Sequence, residues 1–546
     1  MEETVSEIKH NAANSEPSGN QTTHKGLRFW LIIIALIASQ FLAVLESFAF
    51  STALPAVIAD LHADQFIWVA NAYAIPVAAV PPLSGCLAEV FGRRPVMLGS
   101  LFLFSIGSII GGAAQSMNML VIGRVFQGVG AGGIFSSTTI IVSDLVSLQE
   151  RGLYGGLLGM SSALSSGIGP IIGGALAHSK TWRWLLYLNL PIAGIAAFLV
   201  VLFLSLPTPP GTMQEKLYKI DWLGNILVIG ATTSCVISLT WAGEIYAWNS
   251  LQVLIPLCIG GVGLVIFLIY EVQWCTKPMI PRILISNRTS LSGYLQMFFC
   301  AFIIGNIVYY LPVYYQAVEG ASPVASGVEL FAISFTLAPI SVVTGASVAI
   351  SKRYRPQLWA SWCLMTVGLA LLSTVSRTTS RATSIGFQIL IGFGAGMGYA
   401  TSMFPVMAPL PVSENARALA FYTFLRSLSQ VVWGISVGAA IFQNRLLKKL
   451  PSSFINQFQG ASIAYAAIPQ IASLPSPLQT EVQTAYAASL KTLWQMLIGF
   501  SSAGLIASLL MQKVTLNNEL DSKWAVQEPN SQNEASEGSS STCPHV

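Results

Sequence analysis

The chain has 546 residues, of which 53% are hydrophobic and only 9% charged, with a formal net charge of +4. Soluble domains carry about a quarter charged residues, so much of this apolar surface must face something other than water, and lipid is the natural candidate. The small net charge, with no basic stretch interleaved with stacking aromatics, gives no reason to expect nucleic acid as a partner.

A membrane-crossing helix needs about 20 mostly apolar residues, and fourteen such runs can be read along the chain. They lie near 29–50, 66–86, 96–114, 119–142, 153–177, 184–206, 222–243 and 251–272, and then near 289–313, 326–350, 357–375, 384–409, 418–443 and 491–511. The first run follows a polar segment, 1–28, and is too long for the apolar core of a cleaved leader, so it reads as a retained helix. The tail 512–546 is rich in Ser, Asn and Glu and is expected to be disordered. It ends on Cys543-Pro-His-Val, which lacks the aliphatic middle residues of a prenylation box.

Orientation follows from Lys and Arg in the connections. With the N-terminus inside, the cytoplasmic loops hold Arg93, Arg94, Arg151, Lys352, Arg353 and Arg355 among others. On the opposite side the cations gather on one long connection (Arg445, Lys448, Lys449, Lys491), where charge counts least. Both termini are therefore placed in the cytoplasm. Asn20 and Asn287 match the glycosylation pattern but fall on that side, so neither is expected to be used.

The chain echoes itself. "GCLAEVFGRRP" (Gly85 to Pro95) follows the second run and "GASVAISKRYRP" (Gly345 to Pro356) follows the tenth. Each has a Gly leaving a helix, clustered cations and a Pro opening the next helix. Equivalence of the two would divide the chain into six-helix bundles at 29–206 and 273–511, with an inserted pair of helices in 207–272. Paired halves with a site between them are a common transporter architecture, although any short cytoplasmic loop also attracts Arg and Pro.

Ionisable side chains within the runs are functional candidates, because burying them is costly. Glu46 lies in the first run, Arg124 in the fourth and Arg426 in the thirteenth. Desolvation and a neighbouring Arg act in opposite directions on a carboxylate's hold on its proton. A movement that joins or parts Glu46 and Arg124 would therefore bind or release one. The competing reading is a static ion pair pinning helices together. Arg426 stands nearer the cytoplasmic end, where a long side chain can reach the interface.

The fifth run carries "GIGPIIGG", with Gly167, Gly169, Pro170, Gly173 and Gly174. Gly169 and Gly173 form a face for close helix approach, and Pro170 favours a kink. Gly128 with Gly132, and Gly434 with Gly438, repeat the spacing. No Walker loop is present, which argues against an ATP-driven pump, and the seven cysteines show no disulfide or metal-ligand spacing. No acid–base cluster suggests an enzyme, and no cofactor is expected.

These stretches resemble the major facilitator superfamily, in particular its fourteen-helix drug:proton antiporter branch as found in fungi. "GCLAEVFGRRP" is similar to the family's loop between helices 2 and 3, with Gly85, Gly92, Arg93 and Arg94 in place. "RVFQGVGAGG" from Arg124 resembles the fourth-helix motif, whose Arg is implicated in proton coupling, and "GIGPIIGG" the fifth-helix motif of antiporters. "TWRWLLYLNLP", "DWLGNILV" and "YYLPVYYQAVEGASPVASGV" also resemble that branch. Two positions depart from it. Glu89 followed by Val90 stands where the family has Asp and a cation, and Glu46 stands where it has Asp.

The resemblance implies an all-α integral membrane protein in which two six-helix bundles and two inserted helices make fourteen spans. It implies a monomeric, proton-driven exporter of drugs, toxins or secondary metabolites, most naturally in the plasma membrane. Coupling or substrate contact would fall to Glu46, Arg124 and Arg426, with Gly85, Glu89, Gly92, Arg93 and Arg94 as a cytoplasmic latch. Aromatics such as Phe299, Tyr309, Tyr310 and Tyr314 are candidates to line the cavity or simply to pack. Uptake, for example of siderophores, and a non-transporting sensor are the alternatives.

Overall fold

The computed structural model describes residues 25–61, 67–178, 181–242, 246–455 and 467–516. Asn20, the C-terminal tail and Cys543 lie outside the described residues. Among the described residues the regular structure is helical, apart from one isolated bridge between Ala242 and Tyr246.

The first run forms α1 (Leu27–Leu61). The second is broken into α2 (Ile67–Ala79) and α3 (Pro81–Phe91), bent by 48°. Consecutive prolines cause the break: Pro81 and Pro82 offer no amide donors, and Pro81 restricts the residue ahead of it. Gly92 then turns the chain with φ 96°, a left-handed conformation that suits glycine, and α4 (Arg93–Gly112) begins at once. There follow α5 (Met117–Leu145), α6 (Arg151–His178) and α7 (Asn189–Phe203). The seventh and eighth runs form α8 (Trp222–Trp241) and α9 (Leu251–Gln273). The remaining runs form α10 (Arg288–Ala317), α11 (Phe331–Ser351), α12 (Arg355–Leu372) and α13 (Arg381–Thr401). The thirteenth run is α14 (Asn415–Ser427) and α15 (Ile435–Lys449), joined through a π-helical stretch, Leu428–Gly434. The last is α16 (Ser476–Leu509), which begins well before its apolar run.

Among the described residues, eleven helices are long and apolar enough to cross a membrane, or twelve if the bent α2–α3 pair is one span. The other two of the fourteen expected spans coincide with α12, only 18 residues long, and with the interrupted α14–α15 helix.

One apolar core runs through α1, α4, α5 and α7, with Leu36, Leu101, Phe104 and Ala196 at its centre. A second joins α10, α12, α13, α15 and α16 around Tyr310, Trp362, Ile391 and Trp494. A third bridges elements of both sets, with Ala88, Ile140, Tyr354, Phe404 and Phe421. Close approach is made through glycine. A Cβ at Gly123 of α5 would stand 2.7 Å from the Gly111 amide of α4, and one at Gly128 would press on Tyr73 and Pro76 of α2.

The tightest seam lies between α6 and α11, where Gly152 backs directly onto Gly345 and a Cβ at Gly156 would stand 2.7 Å from the Val342 nitrogen. Because the colliding atoms are backbone, Gly345→Val is expected to cost about 1–3 kcal/mol. A lowered unfolding midpoint of the purified protein in detergent checks this, and an unchanged midpoint would show that the two helices separate freely.

Candidate functional site

Glu46 and Arg124 meet inside the protein. Arg124 Nη1 donates to Glu46 Oε1 at 2.6 Å, and both side chains are almost fully buried, at 1% and 2% exposure. The pair is held by three more helices and by a second residue of α5. From α7, Asn189 Nδ2 donates to the other carboxylate oxygen at 2.7 Å. From α5, Gln127 Oε1 accepts from Arg124 at 3.2 Å, and Gln127 passes its own amide hydrogen to Ser108 of α4 at 2.9 Å. From α2, the Val69 carbonyl accepts from Arg124 Nε at 3.3 Å. The guanidinium lies between the Phe50 and Tyr73 rings, 4.5 and 4.4 Å from their centroids. Tyr73 is itself fixed by donating its hydroxyl to the Ala43 carbonyl at 2.5 Å.

A buried ion pair is tolerated only when its remaining polar atoms are also met, and here the Asn189 and Gln127 amides and the Val69 carbonyl do so. Asn189, Gln127, Ser108 and Tyr73 were not singled out from sequence. Two of them sit within quoted stretches, Gln127 in "RVFQG" and Asn189 in "LLYLNLP". Their signal is a neutral polar residue on an otherwise apolar helix, which is weaker than a charge.

A second set of charges occupies the end of the bundle where α3 turns into α4. Glu89 receives two hydrogen bonds from Arg417 of α14, both 2.8 Å, and Arg417 also reaches Glu414 at 3.3 Å. Gly85 of α3 lies against Ala420 of α14 so closely that no side chain fits between them. Glu89 thus ties an early helix to a late one, 328 residues apart in sequence. Beneath the pair is a crevice of about 330 Å³, walled by Cys86, Pro209, Lys219, Lys277, Met279 and Phe421 among others.

The two arginines beside Glu89 do different work. Arg93 is buried and donates to Asp144 at the end of α5 at 2.7 Å and to the Ala88 carbonyl at 3.0 Å. It is therefore not the solvated topological charge that the loop position suggests. Arg94 reaches the Val201 carbonyl of α7 at 2.6 Å. Arg151 closes the same end of α5, donating to the Ser143 and Val146 carbonyls. Cations on the last carbonyls of a helix complement its dipole.

The glycines of "GIGPIIGG" divide between partners. Gly169 faces α1, where a Cβ would meet Phe48 at 3.0 Å and the Ala49 nitrogen at 3.1 Å. Gly167 faces the Phe331 ring of α11. Gly173 is buried, but Gly174 has open space around it and takes no part in a close approach. Helix α6 continues through Pro170 as one element.

Arg426 stands apart from the Glu46 network. It is half-buried in the last turn of α14, with its guanidinium 5.6 Å from the Tyr399 ring centroid. Of the aromatics considered for a cavity wall, Tyr310 and Tyr314 are instead sealed in the core, and Phe299 packs on Phe500. Tyr309 is 40% exposed.

A further cluster was missed because its members are far apart in sequence. Asp221, Glu271 and Cys275 place ligand-type atoms within 4.8 Å of one another. Asp221 caps α8 through the Gly224 amide at 3.0 Å and accepts from Tyr270 and Cys275. Burial, with Asp221 adjacent, pushes the Cys275 thiol up to about 11, so at neutral pH it is a hydrogen-bond donor and not a thiolate ligand.

The comparisons with known proteins agree with this architecture. Residues 36–434 match the family model described as Major Facilitator Superfamily. The chain belongs to that superfamily. Efflux pump FUS6 of Gibberella fujikuroi is 37% identical over 95% of this chain and 95% of its own length. MFS-type efflux pump LUC4 of a Fusarium species is 36% identical, covering 96% and 94%. An acurin A biosynthesis cluster MFS-type transporter of Aspergillus aculeatus is 35% identical, covering 93% of each. The crystal structure of the human organic anion transporter MFSD10 (TETRAN) matches with a TM-score of 0.55 and 15% identity, covering 88% of this chain and 99% of that one, and so supports the fold alone. This major facilitator is accordingly an all-helical, multi-pass membrane protein that transports small molecules.

Proposed function

We propose that this facilitator exports secondary metabolites or related toxic organic compounds, exchanging them for protons. The relatedness to named efflux pumps over nearly the whole of both chains supports the direction. The Glu46–Arg124 pair is the observation that carries the coupling, because it is the buried ion pair at the meeting point of α1 and α5.

On this reading, protonation of Glu46 cancels the charge facing Arg124. Arg124 then keeps only neutral partners, and a buried cation without an anion is strongly unfavourable. The helices relieve this by moving until water or another anion reaches the guanidinium. The bundles 29–206 and 273–511 rock against each other along the α6–α11 seam. Glu89–Arg417 latches one end and must break when that end opens. The latch end is the cytoplasmic one and both termini lie there, in keeping with the distribution of Arg and Lys. The protein works as a monomer in the plasma membrane and needs no cofactor.

The test is flux into or out of proteoliposomes with an imposed pH gradient, using a panel of metabolites and drugs. Movement of at least one compound against the proton gradient, with its rate following the gradient, is expected. Transport that ignores the gradient would overturn proton coupling, and movement in the same direction as protons would make the protein an importer.

A further inference from the structure

Of Glu46, Arg124 and Arg426, the ionisable side chains singled out within the apolar runs, Arg426 is the one that the exchange just described does not use. From Asn415 to Gln430 no residue is exposed, so this stretch is withdrawn from lipid, and only Arg417, Leu425, Arg426 and Gln430 are even half-buried. Helix α14 packs on α3, α5 and α10. Arg426 is thus partly accessible although its helix is packed against three others. It is the twelfth residue of its helix, about 16 Å along it at 1.5 Å per residue, and is too deep to reach the interface.

Other arginines within the bundle have acceptors. Arg124 has Glu46, Arg93 has Asp144, and Arg151 has two carbonyls. Among the described residues, no carboxylate and no hydrogen-bond acceptor meets Arg426. Its surroundings are the Tyr399 ring on α13, Tyr422 one turn earlier, whose hydroxyl is paired with Ser402, and Gln430 one turn later. The nearby carboxylates are committed: Glu46 to Arg124, and Glu89 and Glu414 to Arg417. A guanidinium cannot shed its charge, so a partly accessible, unmatched cation beside aromatic rings selects an anion with an apolar body. The π-helical stretch that starts two residues later supports this, since such interruptions mark functional positions in helices.

We infer that Arg426 receives the ionised acid group of the transported compound, and that this protein's substrates are organic anions, carboxylates above all, with conjugated or aromatic bodies. The inference rests on the export reading for the word substrate, but the binding site itself does not.

The experiment is equilibrium binding to purified protein in nanodiscs, using a panel of aromatic and polyene carboxylic acids, each paired with its methyl ester. Wild-type protein is expected to bind at least one acid about tenfold more tightly than its ester, the scale of one charge-assisted hydrogen bond. Arg426→Gln should erase that preference with ester binding unchanged, and Arg426→Lys should restore part of it. Unfolding midpoints of the three proteins separate loss of the site from loss of the fold. Acids that bind no better than their esters, or a preference that survives Arg426→Gln, overturn the inference. A proteoliposome in which nothing responds to the gradient would overturn the export reading and leave the acid–ester comparison standing.

Discussion

Glu46→Gln is expected to abolish gradient-driven transport while leaving compound binding intact. The substitution keeps the shape of the side chain and its hydrogen bond from Asn189, but removes the charge that Arg124 faces at 2.6 Å. Stranding a buried arginine in this way costs about 3–5 kcal/mol of stability, so the unfolding midpoint should also drop. Stability alone does not separate a proton carrier from a static pin. The double variant Glu46→Gln/Arg124→Gln removes both charges and should recover much of the midpoint. If the pair carries the proton, the double variant remains uncoupled, as judged by proton movement per compound transported. If it recovers wild-type coupling, the pair is structural and the proton travels elsewhere.

The second large effect is expected at the other end of the protein. Glu89→Gln removes one side of a two-pronged, half-exposed ion pair that joins α3 to α14. Partial exposure weakens such a pair, so about 1–2 kcal/mol is expected, which shifts the ratio of closed to open states at that end by roughly five- to thirtyfold. Spin labels placed across the end of the bundle should record longer distances in the variant. The charge swap Glu89→Arg with Arg417→Glu should bring the distances back. Unchanged distances in Glu89→Gln would reduce the pair to a loop anchor. Val90 stands where the family carries a cation beside its carboxylate, and Arg417 finds its second anion in Glu414, which caps the start of its own helix. Arg417 thus makes one bridge to α3 and one local pair.

Much of this was legible in the sequence because lipid imposes a simple code. Runs of apolar residues locate helices, and a charge inside a run attracts notice wherever it falls. Glu46 and Arg124 were found that way, and the structure brings them together. Their supporting residues were not, because Asn189 and Ser108 resemble the many neutral polar side chains of membrane helices until their partners are known. Arg93 could be placed in a loop but not buried, since Asp144 lies 51 residues away and their meeting depends on how α4 and α5 pack. Helix edges also drifted. The apolar code ends where lipid ends, whereas α1 continues through "STALPAVIADL" in spite of its proline, and α16 begins early because nothing in "TEVQTAYAASL" stops a helix. Of the α10 tyrosines, Tyr310 and Tyr314 are sealed in the core and Tyr309 is not, for apolar bulk says nothing about which side of a helix faces a cavity.

The contact between α6 and α11 has a bearing on how such a protein can change over generations. Gly152 and Gly345 meet backbone to backbone, so even a methyl group at either position collides. A larger side chain at either position is therefore excluded while the two helices stay in contact. On the proposed reading, in which the bundles rock along this seam, selection for new cargo and selection for the hinge act on separate residues.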